Sequence, residues 1–219
     1  MMDAILRKPL LTSLTLVIIA LASAVVLADT VVLSEGFEGV AGGTYFTGTT
    51  VNQFKLEGGA VEVLATNNEA GRCTGAGGSP TCVNLVGSPP DPTTFVSSAA
   101  FAPGTYNLSF DLAGSQLQGG QANTTFLFFG NLVNIPIALA ANSSFFTHSF
   151  PNVTVAFDSP ITFFDSGVSG AGNLLDNVQI VRVAAVPVPA TLSLLMTGLA
   201  GLGAAVRRRN AEGVKRSSK

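Results

Sequence analysis

Few side chains in this sequence are equipped for chemistry, and their spacing narrows what they could do. The single histidine, His148, sits in Phe146-Thr147-His148-Ser149-Phe150. A lone imidazole between aromatic residues on an alternating run reads as a strand residue rather than a general base. No Gly-x-Ser-x-Gly elbow, His-Glu-x-x-His pair or phosphate-binding glycine loop occurs. Carboxylate pairs for glycoside hydrolysis have candidates in Asp111, Asp158 and Asp165, all on or beside expected strands. Such a cleft also needs aromatic stacking partners, and no Trp with only Tyr45 and Tyr106 supplies it poorly. No catalytic residue is expected, and glycan hydrolysis is the least favoured activity.

Two carboxylates fall where burial would be costly. Leu174, Asp176, Val178 and Ile180 share one face of a closing strand, and Glu35 is in phase with Leu33 and Phe37, with Glu38 following. A buried charge must be met by a cation, by backbone N–H groups or by protonation. First and last strands of a jelly roll commonly lie near each other, so these carboxylates could meet. Oxygen ligands at Glu38 and Asp176, with backbone carbonyls, would suit Ca²⁺, which takes about 6–8 oxygens. The alternative is a solvated Glu38 and an Asp176 bonded to a nearby backbone amide. Cys73 and Cys82 are the only cysteines. In an exported chain they read as one disulfide, contributing ~2–3 kcal/mol for a loop of about ten residues. A metal site is the weaker reading, since no second Cys or His pair completes it.

The elements that must position these groups lie between two apolar ends. Residues 1–28 have the form of a secretory signal: Arg7 and Lys8, then an apolar run from Leu10 to Leu27, then small residues at Val26 and Ala28. Cleavage before Asp29 is expected, an uncleaved anchor being the alternative. Near the other end, Val186-Pro187-Val188-Pro189-Ala190 leads into an uncharged run from Ala190 to Val206, then Arg207, Arg208 and Arg209. As a helix the 17-residue run would reach about 26 Å at ~1.5 Å per residue, close to the ~30 Å bilayer core. The arginines would stop transfer and stay cytoplasmic, leaving what precedes them outside. Residues 210–219 form a short cytoplasmic tail.

Between these ends, residues 29–185 hold three basic residues against eleven acids, a net of −8. That balance excludes nucleic acid, which calls for a basic face, and is compatible with a divalent cation or a neutral glycan. Short alternating runs punctuated by Gly and Pro dominate. Tyr106 to Leu112 is the cleanest, with Tyr106, Leu108, Phe110 and Leu112 on one face. Gln53–Glu57 and Val61–Ala65 are joined by Gly58-Gly59, a hairpin signal. Thr124–Phe129 is apolar on both faces, as a strand inside a sandwich would be. Phe145–Phe150 and Val153–Phe157 read as separate strands divided by Pro151. The fold class expected is all-β: an antiparallel β-sandwich, or jelly roll, with phenylalanines filling the core.

The tripartite tail resembles the PEP-CTERM sorting signal of Gram-negative bacteria, in its VPLPA-type variant rather than the commoner Val-Pro-Glu-Pro form. The resemblance implies an exosortase-like membrane protease as partner, anchoring in the inner membrane before processing near Val186–Pro189, then a cell-surface or extracellular location among exopolysaccharide and biofilm matrix. Gly36-Phe37-Glu38-Gly39, Leu175-Asp176-Asn177-Val178 and Gly104 to Phe110 resemble the strands of galactose-binding-like β-sandwiches, the fold of many carbohydrate-binding modules. That resemblance implies polysaccharide as a ligand and a structural calcium ion at positions such as Glu38 and Asp176. The expectation is an exported, exosortase-processed protein whose sandwich binds glycan or a partner without catalysis; a purely structural matrix component is the alternative.

Overall fold

The computed structural model describes residues 28–65, 70–74, 80–87, 92–166, 172–185 and 198–200. The chain divides into two units, one of Ala28–Ala184 and one of Met1–Leu27 with Ala185–Lys219. In the second unit only residue 185 and the helical residues 198–200 are described. The signal segment to Leu27, the Val186–Ala190 motif, Arg207, Arg208, Arg209 and the 210–219 tail therefore lie outside the described residues. Among those described, no helix is long and apolar enough to cross a membrane.

The described residues of Ala28–Ala184 fold as two antiparallel sheets built from thirteen strands: β1 (Thr30–Glu35), β2 (Gly43–Phe46), β3 (Thr50–Val51), β4 (Phe54–Gly58), β5 (Ala60–Leu64), β6 (Cys82–Asn84), β7 (Thr93–Ser97), β8 (Gly104–Ala113), β9 (Asn123–Phe129), β10 (Leu132–Leu139), β11 (Phe146–Val155), β12 (Thr162–Asp165) and β13 (Leu174–Arg182). The first sheet runs β11-β8-β13-β6-β5-β2, with β1 also paired to β13; the second runs β10-β9-β12-β7-β4-β3. Alternation explains the layering. Tyr106, Leu108, Phe110 and Leu112 of β8 are buried while Asn107, Ser109 and Asp111 between them are partly exposed, because successive side chains of a strand point to opposite faces. Rings meet across the layers: Phe110 lies edge-on to Phe163 of β12 with centroids 5.0 Å apart, and Tyr106 meets Phe129 of β9 at 5.7 Å.

As expected of a jelly roll, the first and last strands are neighbours. Glu35 pairs with Val178 and Thr30 with Arg182, and the Ala184 N–H donates to an Asp29 carboxylate oxygen at 2.9 Å. Both ends of the sandwich chain thus leave side by side.

Two expectations about connections are corrected. Gly58-Gly59 does not close a hairpin: β4 pairs with β3 and β7 in one sheet, whereas β5 pairs with β2 and β6 in the other. Gly59, at φ +68°, turns the chain from layer to layer; β4 and β5 bury apolar residues from opposite sides of one core, which pairing in one sheet would not allow. Pro151 does not divide two strands either. β11 is continuous, with a bulge between Phe150 and Val153. A proline lacks the ladder N–H, and β11 is an edge strand with an unpaired side where that loss is tolerated. At the bulge Asn152 takes φ +57° and its N–H donates to the Asn107 side-chain oxygen at 3.0 Å.

Candidate functional site

The outer face of the six-stranded sheet carries an aromatic shelf. In β9, Leu127 and Phe129 point into the core, so Phe126 and Phe128 must point out; both are half-buried. In β12, Phe163 is buried and Phe164 points out. Register makes these residues neighbours, since Phe164 pairs with Phe126 on one side and with Thr94 of β7 on the other, and Thr162 pairs with Phe128. The Phe126 and Phe164 rings are 6.0 Å apart and inclined at 44°. With Phe128, Thr94, Thr162 and Asn134 they line a shallow depression of ≈ 640 Å³. None of the six lining residues is charged.

The expectation that Thr124–Phe129 is buried on both faces is corrected here, because the outward rings keep solvent access. The shelf was also the aromatic surface that reasoning from Trp and Tyr missed. Its signal was present in Phe126-Leu127-Phe128-Phe129 and Phe163-Phe164, where phenylalanine occupies both parities of a strand, so some rings must face away from the core.

The opposite sheet carries a polar depression of ≈ 420 Å³ along β1, β8, β11 and β13, lined by Glu35, Glu38, Asp111 and Asn177 among others. Asp111 accepts from the Thr147 hydroxyl and from the Asn177 amide at 2.8 Å. Glu35 is only 6% exposed and accepts from the Phe37 N–H at 2.7 Å, the Asn52 amide at 3.0 Å and the Gln53 N–H at 3.3 Å. Its charge is met by N–H groups, one of the outcomes open to a buried carboxylate. His148 lies on the inner side of β11 with Phe110 stacked at 5.5 Å and Phe146 edge-on at 5.4 Å. Burial pushes its pKa below the ordinary histidine value, opposed by the nearby Asp111 carboxylate.

The carboxylates expected near a cation occupy different settings. Asp176 is fully buried, but the expected phase with Val178 and Ile180 is corrected: a bulge between Asp176 and Gln179 resets the alternation, so Asp176 pairs with Asp111 and shares its face, while Ile180 pairs with the inward Leu108. The Asn177 N–H donates to Asp176 at 2.7 Å. Glu38 is exposed and borders the polar depression, which Asp176 does not line. Among the described residues no three His, Cys, Asp or Glu side chains gather into a metal-holding group. The hydrolytic candidates are dispersed as well. Asp111 faces outward from one sheet, and Asp158 is exposed in the β11–β12 connection. Asp165 is buried at the end of β12, accepting from the Asn123 amide and from the Thr125 hydroxyl at 2.7 Å. Cys73 and Cys82 form the expected disulfide, both buried in a small apolar cluster with Leu64, Ala113 and Leu174.

No family model and no curated protein matches the chain. Among solved structures, the K1 cleaved adhesin domain of Lys-gingipain from Porphyromonas gingivalis W83 aligns over 72% of this chain and 100% of that chain, at 14% identity and a TM-score of 0.46. The CBM22-1 xylan-binding domain of Paenibacillus barcinonensis Xyn10C aligns over 72% of this chain and 98% of its own, at 15% identity and a TM-score of 0.40. TmCBM61, solved with β-1,4-galactotriose, aligns over 59% of this chain and 87% of its own, at 16% identity and a TM-score of 0.39.

Proposed function

We propose that this chain is an exported, non-catalytic glycan-binding protein whose sandwich holds neutral sugar rings on the Phe126, Phe128 and Phe164 shelf. One observation carries the reading: three half-buried phenylalanines stand on the outer face of a sheet interior, flanked by the hydroxyls of Thr94 and Thr162 and by Asn134. Ligand sites combine apolar walls with a few polar groups that orient the ligand, and a pyranose offers that mixture, with C–H faces and hydroxyl edges. The shelf is too small for a stable protein partner, which needs roughly 20–30 residues a side. The domain's net charge of −8 disfavours polyanionic glycans.

Within the same proposal the chain is delivered by its signal segment and held in the inner membrane by Ala190–Val206. An exosortase-like protease then acts near Val186–Pro189, giving a cell-surface or extracellular protein. Extended prolines would keep that linker out of helix and its backbone within reach of the protease. Mass spectrometry of the mature protein tests the delivery; both termini intact would overturn it. A structural Ca²⁺ at Glu38 and Asp176 also belongs to the proposal. Two carboxylates supply at most four of the 6–8 oxygens Ca²⁺ takes, so backbone carbonyls would complete the site.

Glycan binding is tested by titrating the full chain, in a sugar-free detergent, with neutral β-1,4-linked oligosaccharides. Saturable binding that Phe164→Ala abolishes supports the shelf. Absence of binding at millimolar ligand would favour a purely structural matrix role. Self-association that Phe164→Ala reverses would assign the shelf to a second copy of the chain instead.

A further inference from the structure

Resting on that glycan reading, we propose that the shelf is one end of a track laid across the strands. Gly58 keeps the track open, so the ligand is an extended, uncharged chain longer than a disaccharide. Phe126, Phe164, Thr94 and Gly58 follow one another in register across β9, β12, β7 and β4. Neighbouring strands are ~4.8 Å apart, so the three steps of this row span about 14 Å. Two aromatic positions serve the first sugars, a threonine hydroxyl comes next, and at β4 the row has no side chain.

The backbone does not require glycine there. Gly59 beside it sits at φ +68° and turns the chain between layers, whereas Gly58 lies outside the left-handed region. A Cβ at Gly58 would meet the Thr94 hydroxyl at 3.4 Å, the Thr94 Cβ at 3.7 Å and the Pro92 carbonyl at 3.9 Å, all ordinary contacts. β4 bulges between Leu56 and Gly58, yet a bulge demands glycine only where φ turns positive. Glycine inside a strand forgoes packing, and it often marks a place where another chain approaches the backbone. Here the freed space continues the aromatic row. The charges nearest on the same strand, Lys55 and Glu57, pair with each other at 3.8 Å, so the open end offers an uncharged ligand no net field.

The test compares β-1,4-linked neutral disaccharides and hexasaccharides by calorimetric titration of the full chain. Wild type should bind the hexasaccharide about tenfold more tightly than the disaccharide, and Gly58→Val should weaken the hexasaccharide about tenfold while leaving the disaccharide within about twofold. Phe164→Ala should lose both. Gly58→Ala, which adds a single methyl, should weaken the hexasaccharide in the same direction by less, and it carries the test if the valine variant melts well below wild type. Unchanged hexasaccharide affinity in both Gly58 variants, with Phe164→Ala still inactive, would overturn the track and leave the shelf. Failure of wild type to bind any of these sugars, or equal binding by Phe164→Ala, would overturn the shelf and the track together.

Discussion

Glu35 holds the entry of the chain into the sandwich, and removing it should be among the costliest single changes outside the aromatic core. Its carboxylate accepts three N–H groups, two of them from the backbone of Phe37 and Gln53. Phe37 sits at φ +61°, a left-handed conformation costing a non-glycine residue on the order of 1–3 kcal/mol. Its ring is fully buried against Phe54 and Phe95. Glu35→Ala deletes the acceptor and leaves the buried Phe37 N–H unmet, at ~1–3 kcal/mol, while the Gln53 N–H, on an exposed residue, can turn to water. Adding the slackened hold on Phe37, the loss is about 2–4 kcal/mol, or ~4–16 °C at ~2–4 °C per kcal/mol for a domain of this size. Glu35→Gln keeps one acceptor and the side-chain volume, so it should fall between. Scanning calorimetry on the full chain reads both variants, and amide exchange at Phe37 should accelerate in the alanine variant. An alanine variant melting within about 2 °C of wild type would show that the Glu35 network does not hold this turn.

Other predictions follow from single groups. His148 is held neutral by burial, so its pKa is lower folded than unfolded. The unfolded chain then binds the extra proton more readily, and stability should fall as pH drops below about 6.5 toward the folded pKa. His148→Phe should flatten melting temperature between pH 7.5 and 5, and an unchanged slope would locate that dependence elsewhere. Replacing Cys73 and Cys82 together by alanine should cost ~2–3 kcal/mol, hence ~4–12 °C, with no change in sugar affinity because the pair does not line the shelf. If Ca²⁺ is bound, saturating calcium should raise the melting temperature over that in excess chelator by mass action; identical melts would remove the ion.

The parts of the structure that were legible beforehand are those that alternation dictates. β8 buries every second residue from Tyr106 to Leu112 as its pattern requires, and β13 does so from Val178 to Ile180, whereas the bulge at Asn177 leaves Leu174, Leu175 and Asp176 buried in succession. Other features depend on information that alternation lacks. Gly58-Gly59 announces a turn, but which sheet receives the next strand depends on which side of the core its apolar face must reach. β2, β3, β6 and β10 were not anticipated; β2, β3 and β6 are short, and β10 bears Pro136, tolerated because β10 is an edge. The shelf escaped notice because phenylalanine was assigned wholly to the core. Phe37, Phe54, Phe95, Phe101, Phe110, Phe129 and Phe163 are buried, while Phe126, Phe128 and Phe164 spend their area outward.

The way the chain leaves the sandwich bears on how such a shelf could be used. Thr30 pairs with Arg182, and Asp29 holds the Ala184 N–H, so both connections to the apolar ends of the sequence start from one pole. The nine residues of β13 run about 30 Å away from that pole at ~3.3 Å per residue. The shelf lies on the flank, with Phe164 next to Asp165 at the far end of β12, whose Thr125 partner also accepts from Asn173 at the start of β13. A row on the flank of the sandwich leaves a long chain running past free to lie along it. Binding at a flank needs no chain end, whereas a pocket at the tip would favour one. Oligosaccharides that differ only in a blocked reducing end should therefore bind alike, within about twofold. A strong preference for the free end would place recognition in the loops at the far pole rather than on the sheet.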